Sequence, residues 1–263
     1  MQSVRRVLIV IYRVLPVLLI RILGPLLRAR GGQDSAFLDR FSIPYPLAVY
    51  GMGEGHWGNK VETFGLIGCG RLLDLGCGPG QWLPLLARHN AEVIGVDVDP
   101  TLLKAARETA DPEHRVTLVR SRAESLCFRG ATFDAVLCYS VLMYTDYEAT
   151  LREISRVLKP GGRLVVGLTG FGYYLKHVFD GLRHNRVEAL RYGIEPIAVT
   201  FGRALIGRRS QAMTFWTGRA ISRILALRGF DVVRVWGDRY DPLWPTSYAG
   251  AHFYFCVEAR KRF

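Results

Sequence analysis

Apolar residues occur in short continuous runs between residues 71 and 169, and segments with helical periodicity separate these runs. Apolar runs of this length, without a polar residue at every second position, indicate strands that are buried on both faces of a parallel sheet. The alternation of strands and helices predicts an α/β domain with right-handed crossovers. The predicted strands are 71–75, 92–98, 116–120, 133–139 and 163–169, and the predicted helices are 81–88, 100–109 and 146–158.

The alternation stops at residues 171–216 and then resumes with a predicted helix at 217–228 and two strands at 231–237 and 252–260. The interrupting segment contains eight aromatic residues, seven Lys and Arg residues and three acidic residues. We interpret residues 34–263 as one domain with a helical insertion after the fifth strand. The insertion faces the edge of the sheet where ligands bind. It could cap an apolar substrate, bind a phosphate group or dock on a membrane, or it could be a self-packed helical subdomain.

Residues 1–33 have a different pattern. Fifteen aliphatic residues lie within 7–27, but Arg13 and Arg21 interrupt them, whereas a simple membrane span needs about 20 uninterrupted apolar residues. In a helix, four arginines fall within an arc of about 80°, which is typical of a helix that lies in the membrane interface. We therefore predict that 1–33 is a membrane-interface helical segment that contacts anionic lipid through residues 1–30. A single span, a cleaved organellar presequence and a packed core helix are the alternatives.

Composition and charge refine this interpretation. The chain has 263 residues, of which 49% are hydrophobic, so a wholly disordered protein is excluded. Its 35 Lys and Arg against 23 Asp and Glu give a net charge of +12, and the six arginines of residues 1–33 supply half of this excess. The five cysteines are scattered and indicate neither a disulfide framework nor a zinc site, so no metal is expected. We expect Cys77, Cys138 and Cys256 to be buried on or beside strands.

The most specific motif is the sequence LLDLGCGPGQW at residues 72–82, where a strand enters a glycine-rich turn and then a helix. Gly76, Gly78 and Gly80 allow a tight turn and a close approach of the backbone to a ligand. Asp97 ends the next predicted strand, where a carboxylate can accept hydrogen bonds from ribose hydroxyls. Ala123 and Glu124 follow the third strand, at the rim where the edge of an adenine ring would lie.

With these motifs, residues 71–170 resemble the core of the class I S-adenosylmethionine-dependent methyltransferases, and in particular the ubiquinone/menaquinone-biosynthesis (methyltransferase type 11) group. The resemblance implies a Rossmann-like, doubly wound sheet of about seven strands whose last strand is antiparallel. It also implies S-adenosylmethionine as the cofactor. The methionine portion would be held by Asp74, Gly76, Gly78 and Gly80, the ribose by Asp97, the adenine by Val98 and the Ala123 amide, and the sulfonium would lie near Tyr139.

The sequence departs from the family pattern at two places. Arg122 stands where the family often has an aspartate that accepts from the adenine amino group. Either Glu124 takes over as acceptor, or adenine is contacted only by backbone while Arg122 faces solvent. Tyr144 stands where the loop after the fourth strand often carries a histidine.

Methyl transfer from a sulfonium is an in-line displacement, and it needs a general base only when the nucleophile is protonated. Tyr144 and His56 are the candidate catalytic residues, and His177 is a further possible base. His56 lies in a loop at 50–60 that is rich in glycine and aromatic residues, where it would cover the cofactor or serve a structural role. Tyr144 would act as a base or line the pocket.

The sequence therefore predicts a methyltransferase that acts on an amphipathic small molecule such as a lipid or an isoprenoid quinone. We expect a peripheral enzyme on the cytoplasmic side of a membrane. The alternative function is an RNA methyltransferase, because a basic chain with many aromatics suits a phosphate-binding surface. Nucleic acid is the less favoured partner, because the excess charge forms a stripe along an apolar helix and no RNA-binding module is recognisable. A non-catalytic cofactor-binding subunit is a third hypothesis.

Overall fold

The computed structural model describes residues 60–109, 116–206, 215–238 and 247–263. The described residues separate into two compact units: residues within 60–173 and 216–263 form the first, and residues 174–206 with Phe215 belong to the second. Segment 1–33 and His56 lie outside the described residues, so the predictions made for them stay predictions. The proposed boundaries at residues 33, 171 and 216 stay predictions as well.

The first unit contains nine strands: β1 (Arg71–Leu75), β2 (Glu92–Asp97), β3 (Val116–Arg120), β4 (Phe133–Tyr139), β5 (Leu158–Thr169), β6 (Phe230–Asp238), β7 (Ser247–Tyr248), β8 (Ala251–His252) and β9 (Tyr254–Lys261). Seven of them form one sheet in the order β3-β2-β1-β4-β5-β9-β6. The pairs from β3 through β5 are parallel, and β9 is antiparallel to both β5 and β6. The predicted Rossmann-like sheet of seven strands with an antiparallel last strand is confirmed.

Helices α1 (Leu83–His89), α2 (Pro100–Thr109), α3 (Tyr147–Val157) and α6 (Gly218–Leu227) belong to the first unit. The Asp146 carboxylate begins α3 by accepting hydrogen bonds from the backbone N–H groups of Glu148 and Ala149, at 3.0 and 3.1 Å. The Thr217 hydroxyl accepts from the Ala220 N–H at the start of α6. Both are standard N-caps, which satisfy N–H groups that lack partners within the helix.

Two predicted strands differ from the structure by more than one residue at their first position. The last strand of the sheet begins at Tyr254 rather than at residue 252, because Ala251–His252 pairs with Ser247–Tyr248 in a separate hairpin. Ala249 and Gly250, both with positive φ, form its turn. The fifth strand begins at Leu158 rather than at residue 163, because Leu158 pairs with Phe133 before the register shifts.

The inner strands of the sheet are buried on both faces, which explains their continuous apolar runs, whereas the outer strands β3 and β6 are partly exposed. Along β4, Phe133, Val136 and Cys138 pack on one side, whereas Leu137 and Tyr139 pack on the other. The predicted burial of Cys77, Cys138 and Cys256 is confirmed. The strands that carry the candidate site are therefore held rigidly from both sides.

Helices α4 (Phe171–Arg183) and α5 (Val187–Ile206) occupy the segment that interrupts the alternation. Most of α4 and all of α5 belong to the second unit. Pro196 lies inside α5, where it cannot donate a helical hydrogen bond. Within the described residues, no helix is long and apolar enough to cross a membrane.

Candidate active site

The candidate site lies at the carboxyl ends of the parallel strands. Asp74 lies near the end of β1, Asp97 ends β2 and Tyr139 ends β4. Because β5 and β6 are both antiparallel to β9, β6 runs parallel to β5, and its last residue, Asp238, lies at the same edge. Ligands of open α/β sheets bind at this edge.

The glycine turn after β1 has the conformation that its sequence predicts. Gly76, Gly78 and Gly80 have φ values of 73°, 54° and 89°, in the region that favours glycine. A Cβ atom at Gly76 would lie 2.2 Å from Val141 Cγ2, and one at Gly80 would lie 3.0 Å from Ala106 Cα. At Gly78, however, the nearest atom is Gln81 Oε1 at 3.6 Å. Gly76 and Gly80 are therefore required by packing, and Gly78 leaves room above the turn.

The N–H groups of the turn are already bonded within the protein. Gly76 N donates to Val96 O at 2.7 Å, Gly80 N donates to Cys77 O at 3.0 Å, and Gly78 N donates to Asp97 Oδ2 at 2.9 Å. A ligand can therefore contact the glycine α-carbons, which carry no side chain, and the carbonyl oxygens of the turn, but its N–H groups are already used. Carbonyl oxygens are acceptors, and they suit a ligand that carries an ammonium group.

Asp97 connects the glycine turn to the end of β2. Its Oδ2 accepts from Gly78 N and its Oδ1 accepts from Asp99 N, both at 2.9 Å. An ionised carboxylate has about four acceptor positions, so about two remain for a ligand. Asp97 therefore has both the position and the capacity expected of a ribose acceptor.

Asp74 is only 1% exposed, and its Oδ2 has no hydrogen-bond partner among the described residues. Burial raises the pKa of Asp74 to about 8, with a further contribution from the negative charge of Asp97. The Oε1 of Gln81 is also buried without a partner in this part of the chain. Buried acceptors are normally satisfied, so these two oxygens beside the glycine turn point to a missing donor. The sequence did not lead us to Gln81.

The predicted adenine contacts lie at the ends of β2 and β3. Val98 is 53% exposed, although it is apolar and follows a buried strand. Glu124 Oε1 accepts from Asp146 N at 3.2 Å and lies 3.5 Å from Arg122 Nη2. Arg122 has a side-chain exposure of 62% and therefore faces solvent, while the adenine contacts of Glu124 and Ala123 stay predictions.

Tyr139 is directed along the sheet rather than outward. Its ring lies against Gly167 of β5, where a Cβ atom would be 2.2 Å from Tyr139 Cδ2. Its hydroxyl donates a short hydrogen bond to Asp238 Oδ2, which also accepts from Lys60 Nζ at 3.1 Å. Phe64 and Trp82 pack around the ring, with centroid distances of 5.9 and 5.3 Å.

Lys60, Tyr139 and Asp238 form a buried polar cluster, with exposures of 7%, 8% and 6%. Burial lowers the pKa of Lys60, and the charge of Asp238 opposes this effect. Sequence reasoning missed Lys60 and Asp238. The position of Asp238 at the end of a predicted strand was the available signal, whereas nothing in the sequence relates it to Lys60.

The candidate bases are in different environments. The backbone turns after β4 at Ser140, whose φ is 60°, and enters a short 3₁₀ helix (Leu142–Tyr144) that leaves Tyr144 47% exposed. His177 lies in the second unit, where its ring contacts Tyr192 at a centroid distance of 5.0 Å. Burial lowers the pKa of His177, and the neighbouring charge of Lys176 adds to the effect. The catalytic roles of Tyr144 and His56 stay predictions.

The residues present fit S-adenosylmethionine. The partnerless Asp74 oxygen and the carbonyls of the turn suit its ammonium group, Asp97 suits its ribose, and the open space at Gly78 allows close approach. No group of three or more His, Cys, Asp or Glu residues that could hold a metal ion occurs in the described part of the chain.

Comparison with known proteins supports this assignment. Residues 73–166 match a family described as a methyltransferase domain. The match confirms the resemblance that the motifs of residues 71–170 predicted. Together with the fold, it supports S-adenosylmethionine as the cofactor.

Two curated relatives are methyltransferases of quinone biosynthesis. The chain is 37% identical to the ubiquinone/menaquinone biosynthesis C-methyltransferase of Syntrophotalea carbinolica over 146 residues, which are 52% of this chain and 62% of that protein. It is 37% identical to the ubiquinone biosynthesis O-methyltransferase of Xanthomonas oryzae pv. oryzae over 100 residues, 36% of this chain and 41% of that protein. The matched segments thus span less than two thirds of either relative.

Solved structures share the fold. A structure of SAM-dependent methyltransferases from Methanosarcina mazei superposes with a TM-score of 0.53, covering 73% of this chain and 92% of that chain. The sequences are 19% identical, so this likeness concerns the fold alone.

Proposed function

We propose that this protein transfers a methyl group from S-adenosylmethionine to a membrane-associated or amphipathic small molecule, such as a lipid or an isoprenoid quinone. The observation that carries the proposal is the buried, partnerless Asp74 oxygen beside a glycine turn that Asp97 holds in place. This arrangement offers acceptors for an ammonium group and for ribose hydroxyls at one edge of the sheet.

The bound cofactor would supply an electrophilic methyl group on a sulfonium. The protein holds the two reactants in line and excludes water, which is the main catalytic requirement of such a displacement. Asp74 and the carbonyls of the turn hold the ammonium end, Asp97 holds the ribose and Val98 packs on adenine. Tyr139 is fixed at the end of β4 by Asp238, and it forms part of the wall between the cofactor and the acceptor. Tyr144 accepts a proton where the acceptor is a hydroxyl or an enol.

The substrate class is supported by two observations. The relatives named above act in ubiquinone or menaquinone biosynthesis, and their names include both a C- and an O-methyltransferase. Residues 1–33 combine fifteen aliphatic residues with six arginines, as expected of a segment that lies on an anionic membrane. We therefore place the enzyme on the cytoplasmic side of a membrane, as a peripheral protein.

The cofactor is tested by calorimetric titration with S-adenosylmethionine. Asp97→Ala removes the ribose acceptor and releases Gly78, and we expect the affinity to fall by about 10- to 100-fold, the equivalent of one or two charge-assisted hydrogen bonds. Asp231→Ala, at an exposed residue paired with Arg262 on the outer strand, is the matched control and should bind as the wild type does. An unchanged affinity in Asp97→Ala would overturn the cofactor assignment.

The acceptor is tested by incubating the full-length protein with methyl-labelled S-adenosylmethionine and a crude lipid extract, followed by chromatography. Label in an amphipathic lipid fraction is expected, and at a cofactor concentration near the wild-type dissociation constant Asp97→Ala should reduce it strongly. A parallel incubation with total RNA tests the alternative. Label in RNA and none in lipid would replace the proposed substrate class with nucleic acid.

A further inference from the structure

Helices α4 and α5 form a closely packed hairpin within the second unit. A Cβ atom at Gly181 of α4 would lie 2.5 Å from Leu190 N, and one at Gly193 of α5 would lie 2.7 Å from Tyr174 O. At these two glycines the helices therefore touch backbone to backbone. Close packing at these two points holds α4 against the first part of α5.

The tip itself is an ordered turn. Asn185 has a φ of 54°, a left-handed conformation that asparagine tolerates better than most residues. Arg186 N donates to Gly181 O at 2.9 Å, and His184 N donates to Asp180 O at 3.0 Å. The side chains of residues 182–187 are therefore presented outward from a fixed backbone.

Residues 179–187, which comprise the turn and the last residues of α4, include large apolar groups. Phe179, Leu182 and Val187 are 49%, 62% and 75% exposed. Ten large hydrophobic residues are exposed among those the structure describes, and three of them fall within these nine positions. A cluster of this kind marks an interaction surface, whereas apolar residues scattered singly would not.

Between Gly181 and Val187 the ionisable side chains are all basic. Arg183, His184 and Arg186 are exposed, and residues 181–187 contain no acidic residue. Asp180, which precedes this stretch on α4, is paired with Lys176, and farther along the hairpin Arg191 pairs with Glu195 at 3.8 Å. In the described part of the chain, neither Arg183 nor Arg186 forms an ion pair. The unpaired cations thus coincide with the exposed apolar residues.

We propose that the hairpin tip, residues 179–187, docks on an anionic lipid bilayer, with Leu182 and Val187 in the interface and Arg183 and Arg186 on lipid phosphates. Apolar side chains flanked by basic residues match the acyl boundary and the headgroups of such a surface. The inference rests on the membrane-associated substrate of the proposed function. It adds a contact that is separate from residues 1–33.

The test is the partitioning of the full-length protein onto vesicles of phosphatidylcholine with about 30% phosphatidylglycerol, at low ionic strength where headgroup charge is least screened. Because each arginine near an anionic surface contributes about a factor of five, Arg183→Gln with Arg186→Gln should weaken partitioning by about thirtyfold. Leu182→Ser with Val187→Ser should weaken it by about tenfold or more. The matched control, Arg219→Gln with Arg223→Gln, removes two exposed arginines from α6 and should change it by less than about threefold.

Hydrogen exchange supplies a local measurement on the native sequence. Amides of 179–187 should gain protection when anionic vesicles are added, and those of 219–227 should not. Equal losses in the tip and control variants, or no added protection at the tip, would overturn the inference. Neither measurement needs a cofactor or an acceptor. Vesicle binding without methyl transfer would therefore contradict the proposed function. Methyl transfer without added protection of residues 179–187 would contradict the proposed membrane contact of the hairpin tip.

Discussion

Lys60 and Asp238 are 178 positions apart in sequence and form a buried ion pair, in which Lys60 Nζ donates to Asp238 Oδ2 at 3.1 Å. Removing two charges from water costs several kcal/mol per ion, and their mutual attraction offsets this only when the geometry is good. A partner lost from such a pair leaves an uncompensated buried charge. The pair thus joins the segment before β1 to the end of β6. It stabilises the fold only while both residues are present.

We expect Lys60→Met and Asp238→Asn each to lower the free energy of unfolding by about 3–5 kcal/mol, because each removes one charge of a buried ion pair and leaves the opposite charge in the interior. Urea denaturation of the single and double variants measures this. The double variant should be less destabilised than the sum of the single variants, because no isolated charge remains. Additive effects would show that the two residues do not interact in solution.

The raised pKa of Asp74, about 8, predicts a pH dependence of stability. An unfolded aspartate ionises near pH 4, so between about pH 4 and pH 8 the folded state holds a proton that the unfolded state has lost. The contribution of Asp74 to stability is therefore full below pH 4 and is lost progressively as the pH rises to about 8.

Asp74→Asn removes this titration. Its stability relative to the wild type should increase from pH 5 to pH 8, as measured by urea denaturation at several pH values. Above about pH 8, where Asp74 is ionised, the same substitution should weaken S-adenosylmethionine binding, since the neutral amide cannot pair with the ammonium group as a carboxylate does. A constant difference in stability across this range would show that Asp74 titrates normally.

Gly167 on β5 is required by the ring of Tyr139. Gly167→Ala places a methyl group 2.2 Å from Tyr139 Cδ2, and we expect a destabilisation of about 1–3 kcal/mol as the ring is displaced from Asp238. Thermal and urea unfolding measure the loss. In a Tyr139→Ala background the same substitution should cost much less, because the clash is gone. An equal cost in both backgrounds would contradict the packing.

The thiols should differ in reactivity with position. Cys77, Cys138 and Cys256 are buried, and burial raises the pKa of each thiol, whereas Cys127 is exposed. Because the thiolate is the reactive form, alkylation of the native protein at pH 8 should label Cys127 first and leave the three buried cysteines unlabelled until unfolding. Peptide mass spectrometry identifies the labelled residues. Early labelling of Cys256 would show that β9 opens readily.

The sequence predicted the elements whose signals are local. Continuous apolar runs predicted β1 to β5, and the glycine turn at residues 76–80 was found because its spacing is itself the signal. The Lys60–Asp238 pair was missed because it depends on the order of the strands in the sheet. That order places the end of β6 at the same edge of the sheet as the end of β4. The direction of Tyr139 was missed for the same reason: it is set by Gly167, on a neighbouring strand, and not by its own sequence context.

The antiparallel strand β9 also affects how the domain is assembled. It lies between β5 and β6, yet it is the last described strand in chain order. During synthesis, β5 and β6 therefore leave the ribosome before residues 254–261, the strand with which both pair in the folded sheet. Until β9 is inserted, two hydrogen-bonding edges beside a largely apolar sheet stay open, and such edges are the usual sites of aggregation. The folding of this protein should therefore depend on how soon residues 254–261 leave the ribosome.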